Sequence, residues 1–131
     1  MLFKTLRDLT SLPVQQIRRQ FRNEEVRSVL PARAAVNGTE SLLIATTSAL
    51  AIVTATTGSP RWVTRWAPWD SVHTGADVRS TGRTDDGSHQ MSVQVDRLRF
   101  DSTLPGRMGL RAMRDFIGVA RERRSRLPLH P

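Results

Sequence analysis

A chain of 131 residues is the size of one domain, long enough to withdraw roughly two thirds of its unfolded surface from water. It has no cysteine, which excludes a disulfide framework, a thiolate nucleophile and a Cys-ligated metal, and makes a reducing cytoplasm the expected compartment. The formal charge of +8 sits at the two ends: residues 1–30 hold six basic and three acidic side chains, residues 31–104 seven of each, and residues 105–131 seven arginines against two acids.

Between Met1 and Leu9 a charge falls at every third or fourth residue, so no unbroken apolar stretch of a secretory signal is present. Leu2, Phe3, Leu6 and Leu9 recur near the helical period and predict a short amphipathic helix. Thr10 or Ser11 then caps a second helix, with Pro13 in its first turn. On that helix Val14, Ile17 and Phe21 form a narrow stripe with Arg18, Arg19 and Arg22 beside it. This is the pattern of a helix laid against the rest of the fold or a second copy, or on lipid.

From Ser28 to Val36 the chain reads as a strand, ended by Asn37-Gly38, whose residue types favour the left-handed angles of a tight hairpin. Leu42-Leu43-Ile44-Ala45 and Leu50-Ala51-Ile52-Val53 predict an antiparallel pair in the core, ended by Gly58-Ser59-Pro60. The stretch from Leu42 to Ala55 is interrupted by Thr46, Thr47, Ser48 and Thr54 and is too short to span a bilayer. Arg61 to Trp66 alternates, with Trp62, Thr64 and Trp66 on one face and Val63 and Arg65 on the other. After Pro68, Trp69-Asp70-Ser71-Val72 opens another strand. Val78-Arg79-Ser80 and Met91 to Val95 form a hairpin around Thr84-Asp85-Asp86-Gly87, and Arg97-Leu98-Arg99-Phe100 is the last of about seven strands.

Residues 108–124 predict one amphipathic helix. Met108, Leu110, Ala112, Met113, Phe116, Ile117, Val119 and Ala120 cover a wide apolar arc, opposite Arg111, Arg114, Asp115, Gly118, Arg121 and Glu122. Arg123, Arg124 and Arg126 close it, where the helix dipole favours cations. Leu127 to Pro131 is expected to be a loose tail.

This order, α+β and mainly β, with about seven antiparallel strands closed by one helix, resembles the small bacterial pleckstrin-homology-like (PH-like) domains. The resemblance rests on Leu42-Leu43-Ile44-Ala45-Thr46 running into Leu50-Ala51-Ile52-Val53, on Trp69-Asp70-Ser71-Val72, on Arg97-Leu98-Arg99-Phe100 and on Phe116-Ile117, and covers roughly Val26 to Arg124. It implies an open barrel capped by its C-terminal helix, acting in binding or assembly without catalysis. The implied division is a helical arm over residues 1–27, the barrel with its helix over 28–126 and a tail over 127–131. Phosphoinositide-binding relatives carry basic residues between the first two strands. Here that loop, Asn37-Gly38-Thr39-Glu40, has none, leaving Arg33, Arg61 and Arg65 as the nearest substitutes.

Chemistry-bearing patterns are missing from the sequence. His73, His89 and His130 are dispersed, no nucleophile sits in a glycine-flanked elbow, and Asp85-Asp86-Gly87 lacks the spaced ligands of a calcium loop. The expectation is therefore no enzyme, no cofactor, no metal and no small-molecule substrate. The expected partners are a protein or a second copy, with an anionic surface such as the inner membrane face attracted to Arg18, Arg19, Arg22, Arg61, Arg65, Arg111, Arg114, Arg121, Arg123 and Arg124. The alternative is nucleic acid, held by the Arg-rich helices or stacked on Trp62, Trp66 and Trp69, although aromatic residues at strand spacing are more often core.

Overall fold

Strands β2 (Glu40–Thr46) and β3 (Leu50–Ala55) have almost no polar face. Successive side chains of a strand point to opposite sides, so Leu42, Ile44, Ala51 and Val53 emerge on one face of the sheet and Leu43, Ala45, Leu50 and Ile52 on the other, all buried. A sheet that is apolar on both faces must be covered twice. The computed structural model, which describes residues 12–56, 61–74, 78–80 and 87–125, provides one helix for each face.

The outer face is covered by α1 (Val14–Gln20), whose Val14 and Ile17, with Leu12 and Phe21, pack on Val29, Leu42, Ile44, Ala51 and Val53. Pro13 is not inside the first turn, where the sequence predicts it, but is itself the N-cap, which displaces Thr10 and Ser11 from that role and leaves the helix without a side-chain cap hydrogen bond. The inner face is covered by α2 (Gly106–Ser125), through Met113, Phe116, Ile117 and Ala120. The buried arc of α2 is narrower than its composition suggests. Met108 is 49% exposed, and Gly109 is the buried residue at that end of the helix.

The remaining strands are β1 (Val26–Ala34), β4 (Trp62–Ala67), β5 (Val72–Thr74), β6 (Arg79–Ser80), β7 (Ser88–Val95) and β8 (Leu98–Pro105). They form one open antiparallel sheet in the order β4-β3-β2-β1-β8-β7-β5. β5 and β6 lie one after the other along β7, so the sheet is seven strands wide among the described residues. The mainly-β order ending in one helix is as the sequence predicts.

Several details differ from the sequence-based expectation. β1 begins at Val26 and ends at Ala34, and Val36 and Asn37 belong to the turn. Gly38 alone in that turn takes a positive φ, of 70°. The hairpin is therefore a longer loop, closed by Gly38 N–H donating to Ala34 O (2.7 Å) and Ala34 N–H donating to Thr39 O (3.0 Å). Trp69–Ser71 is a 3₁₀ turn rather than a strand, and it sinks Trp69 into the core with Nε1 donating to Thr46 O at 3.1 Å. Arg97 lies in the β7–β8 turn, where Asp96 has φ 52°, a conformation Asp tolerates. The helix expected over Leu2 to Leu9, the residues Thr10 and Ser11, Gly58-Ser59-Pro60, Thr84 to Asp86 and the tail from Leu127 lie outside the described residues.

Pro31 explains why the ladder between β1 and β8 is short. It sits inside β1, at a position whose backbone faces β8, and it has no N–H to give. The β1–β8 pairing is confined to Arg33↔Asp101 and Ala34↔Phe100, and beyond it the buried Ser102 Oγ donates to Pro31 O at 2.7 Å.

The glycines of α2 separate packing from propensity. A Cβ on Gly109 would lie 2.5 Å from Leu104 Cβ, whereas one on Gly118 meets nothing within 4 Å. Gly109→Ala is expected to destabilise by about 1–3 kcal/mol through overpacking, and Gly118→Ala to stabilise by up to about 1 kcal/mol. Urea midpoints of the two variants check this, and equal shifts would mean that α2 does not press on β8.

Candidate functional site

β4 is an edge of the sheet and the least covered strand with large apolar side chains: Val63 is 53% and Trp66 49% exposed. Its register with β3 runs without a shift from Leu50↔Ala67 to Ala55↔Trp62. One residue beyond, Thr56 N–H donates to Arg61 O at 3.0 Å, which makes that a hydrogen-bonded pair. Antiparallel pairs alternate between bonded and non-bonded positions. Val63, Arg65 and Ala67 therefore use their backbone groups on β3, and Trp62, Thr64 and Trp66 turn theirs to the open edge.

The same three side chains meet α1. Trp62 Nε1 donates to Gln20 Oε1 at 2.7 Å, and Gln20 Nε2 donates to Thr64 Oγ1 at 3.0 Å. The Phe21 and Trp66 rings are tilted by 49° with centroids 5.7 Å apart. Trp62 and Trp66 are thus occupied with the helix, and Trp69 is in the core, so the three indoles do not form one stacking platform. On the inner side of the edge, Arg65, Trp66, Ala67, Pro68 and Ile52 face the β7–β8 turn across a groove of about 520 Å³, where Asp96 and Arg97 are its charged far wall.

The arginines predicted to meet an anionic surface fall into three groups. Arg18, Arg19 and Arg22 are exposed on and just after α1, and Arg61 and Arg65 are exposed on β4 and its approach. Arg111, Arg114 and Arg121 are exposed on α2. Arg123 and Arg124 are used by the fold: the Arg123 side chain is 12% exposed beside Glu122 (3.1 Å), and Arg124 Nη1 donates to Val72 O (2.7 Å) against the His73 ring. Arg33 is likewise tied to its own loop, donating to Gly38 O (3.0 Å) and lying 3.7 Å from Glu40. Because α1 and α2 pack on opposite faces of the sheet, the two helical arginine groups are held apart by it. Two arginines missing from the prediction belong to these surfaces. Arg97 faces Arg65 across the groove, and Arg107 lies one helical turn before Arg111, a spacing that was visible in the sequence.

Among the described residues, no group of three or more His, Cys, Asp or Glu side chains comes together to hold a metal, and no helix is long and apolar enough to cross a membrane. Comparison with family models, with curated proteins and with solved structures finds no match.

The α1–β4 junction has a spectroscopic signature. Gln20→Ala is expected to lower stability by about 1 kcal/mol and to red-shift tryptophan emission as water replaces the partner of Trp62 Nε1. A urea titration followed by fluorescence checks both, and an unchanged midpoint and spectrum would mean that α1 is not docked on β4.

Proposed function

We propose that this chain is a non-catalytic PH-like binding and assembly module, acting in the cytoplasm, whose protomers join through their β4 edges. The PH-like reading is supported by the strand order, in which β1 to β4 form a meander beside the β8-β7-β5 half, and by a single C-terminal helix on the inner face. The assembly reading is carried by one observation: the three residues whose backbone faces outward from β4 are evenly spaced about Thr64.

A two-fold axis through Thr64 lays a second β4 antiparallel to the first. Thr64 then meets Thr64, and Trp62 meets Trp66 of the other copy, so all outward N–H and C=O groups are paired. On the opposite face Val63 meets Arg65. No arginine directly opposes another, and the aromatic cross-strand pairs contribute roughly 0.2–1 kcal/mol each. The exposed Val63 and Trp66 would be covered in the same step, which answers the liability of an apolar free edge.

The test is the mass of the full chain in solution. Light scattering behind size exclusion should give a dimer that dissociates on dilution. Val63→Lys with Thr64→Pro, which adds a charge and removes an N–H that β3 does not use, should give a monomer with unchanged far-ultraviolet circular dichroism. A wild-type monomer at every concentration, or a variant dimer, would contradict edge pairing.

A further inference from the structure

The outer face of α2 carries a feature independent of β4. At about 100° per residue, Arg107, Arg111, Arg114, Gly118 and Arg121 fall within an arc of about 80°, and all five are exposed. The row is about 20 Å long at 1.5 Å rise per residue. At its N-terminal half Arg107, Arg111 and Arg114, with Met108, Leu110 and Asp115, line a shallow depression of about 430 Å³. Arg107, Arg111 and Arg114 make no ion pair among the described residues. The fold gives these three arginines nothing to do, although it uses Arg123 and Arg124 of the same helix.

We infer that this row is a docking surface for an anionic lipid bilayer. The shape of the charge decides between a flat partner and a grooved one. Asp115 and Glu122 flank the row on one side, at about 60–80° from its centre line, and the opposite side of the helix is locked in the core through Met113, Phe116, Ile117 and Ala120. A helix entering a nucleic-acid groove would bring those carboxylates against phosphates and needs more of its circumference free. A plane touches only the ridge. Gly118 leaves that ridge low between Arg114 and Arg121. Since the apolar face of α2 is already buried, binding is electrostatic, reversible and weakened by salt.

Sedimentation of the full chain with vesicles of phosphatidylcholine and phosphatidylserine in equal parts tests this. Each arginine near an anionic surface is worth about fivefold in partitioning. Arg107→Glu with Arg111→Glu and Arg114→Glu should therefore abolish sedimentation, while Arg18→Glu with Arg19→Glu and Arg22→Glu, the same change in net charge, should leave most of it. Pure phosphatidylcholine vesicles should sediment no protein. Equal losses from the two triple variants would overturn the assignment, because net charge rather than the α2 row would then be responsible. Retained sedimentation in the α2 variant would overturn it as well. So would a gel shift of double-stranded DNA at physiological salt that the α2 substitutions remove while wild-type sedimentation is absent.

Discussion

The fold depends on a sheet that is greasy on both sides. β2 and β3 bury Leu42, Ile44, Ala51 and Val53 on one face and Leu43, Ala45, Leu50 and Ile52 on the other. Each fully buried Leu, Ile or Val among them contributes roughly 1.5–3 kcal/mol, so leaving either face wet would remove much of what offsets chain entropy. Two helices of unequal size meet this demand. α2 closes the inner face with five buried residues along 20, and α1 closes the outer face with seven residues supported by Leu12 and Phe21.

That division of labour determines what remains for recognition. The covered strands, β1 to β3, offer solvent little beyond their loops. β4, at the margin of α1, keeps Trp66 and Val63 half exposed and its outward backbone groups without partners among the described residues. α2 spends one side on the core, and its other side is left with a charge pattern that packing does not dictate. An edge and a ridge on different elements can be used at the same time, so the proposed edge pairing and the proposed surface docking do not compete.

Much of this was legible in the chain because local period reports burial. The unbroken run Leu42 to Ala45 and the run Leu50 to Val53 signalled buried strands, Trp62-Thr64-Trp66 signalled one strand face, and Phe116-Ile117-Ala120 signalled the inner side of a helix. What escaped was long-range. Periodicity cannot say that α1 lands on the Trp62 face, because Gln20 and Trp62 are 42 residues apart. Nor does it say that Arg124 reaches back to Val72, which removes from the pool of surface cations a residue that composition counts as free. Pro31 inside β1 was a readable sign of interrupted pairing, and Asp96 of a tight turn; both were hidden by the apolar and polar pattern around them. The candidate surfaces were harder than the fold, since exposure of Val63 or Arg107 depends on what fails to cover them.

Native-state hydrogen exchange of the full chain tests the two-sided sheet most directly. Amides of Leu42 to Ala45 and Leu50 to Val53 are expected to exchange only through global unfolding, and Ile17→Ala and Phe116→Ala, on opposite faces, each to lower that same limit. Exchange of the β2 and β3 amides through a smaller opening, or a limit insensitive to Ile17→Ala, would show that one face stands without its helix and would contradict the account.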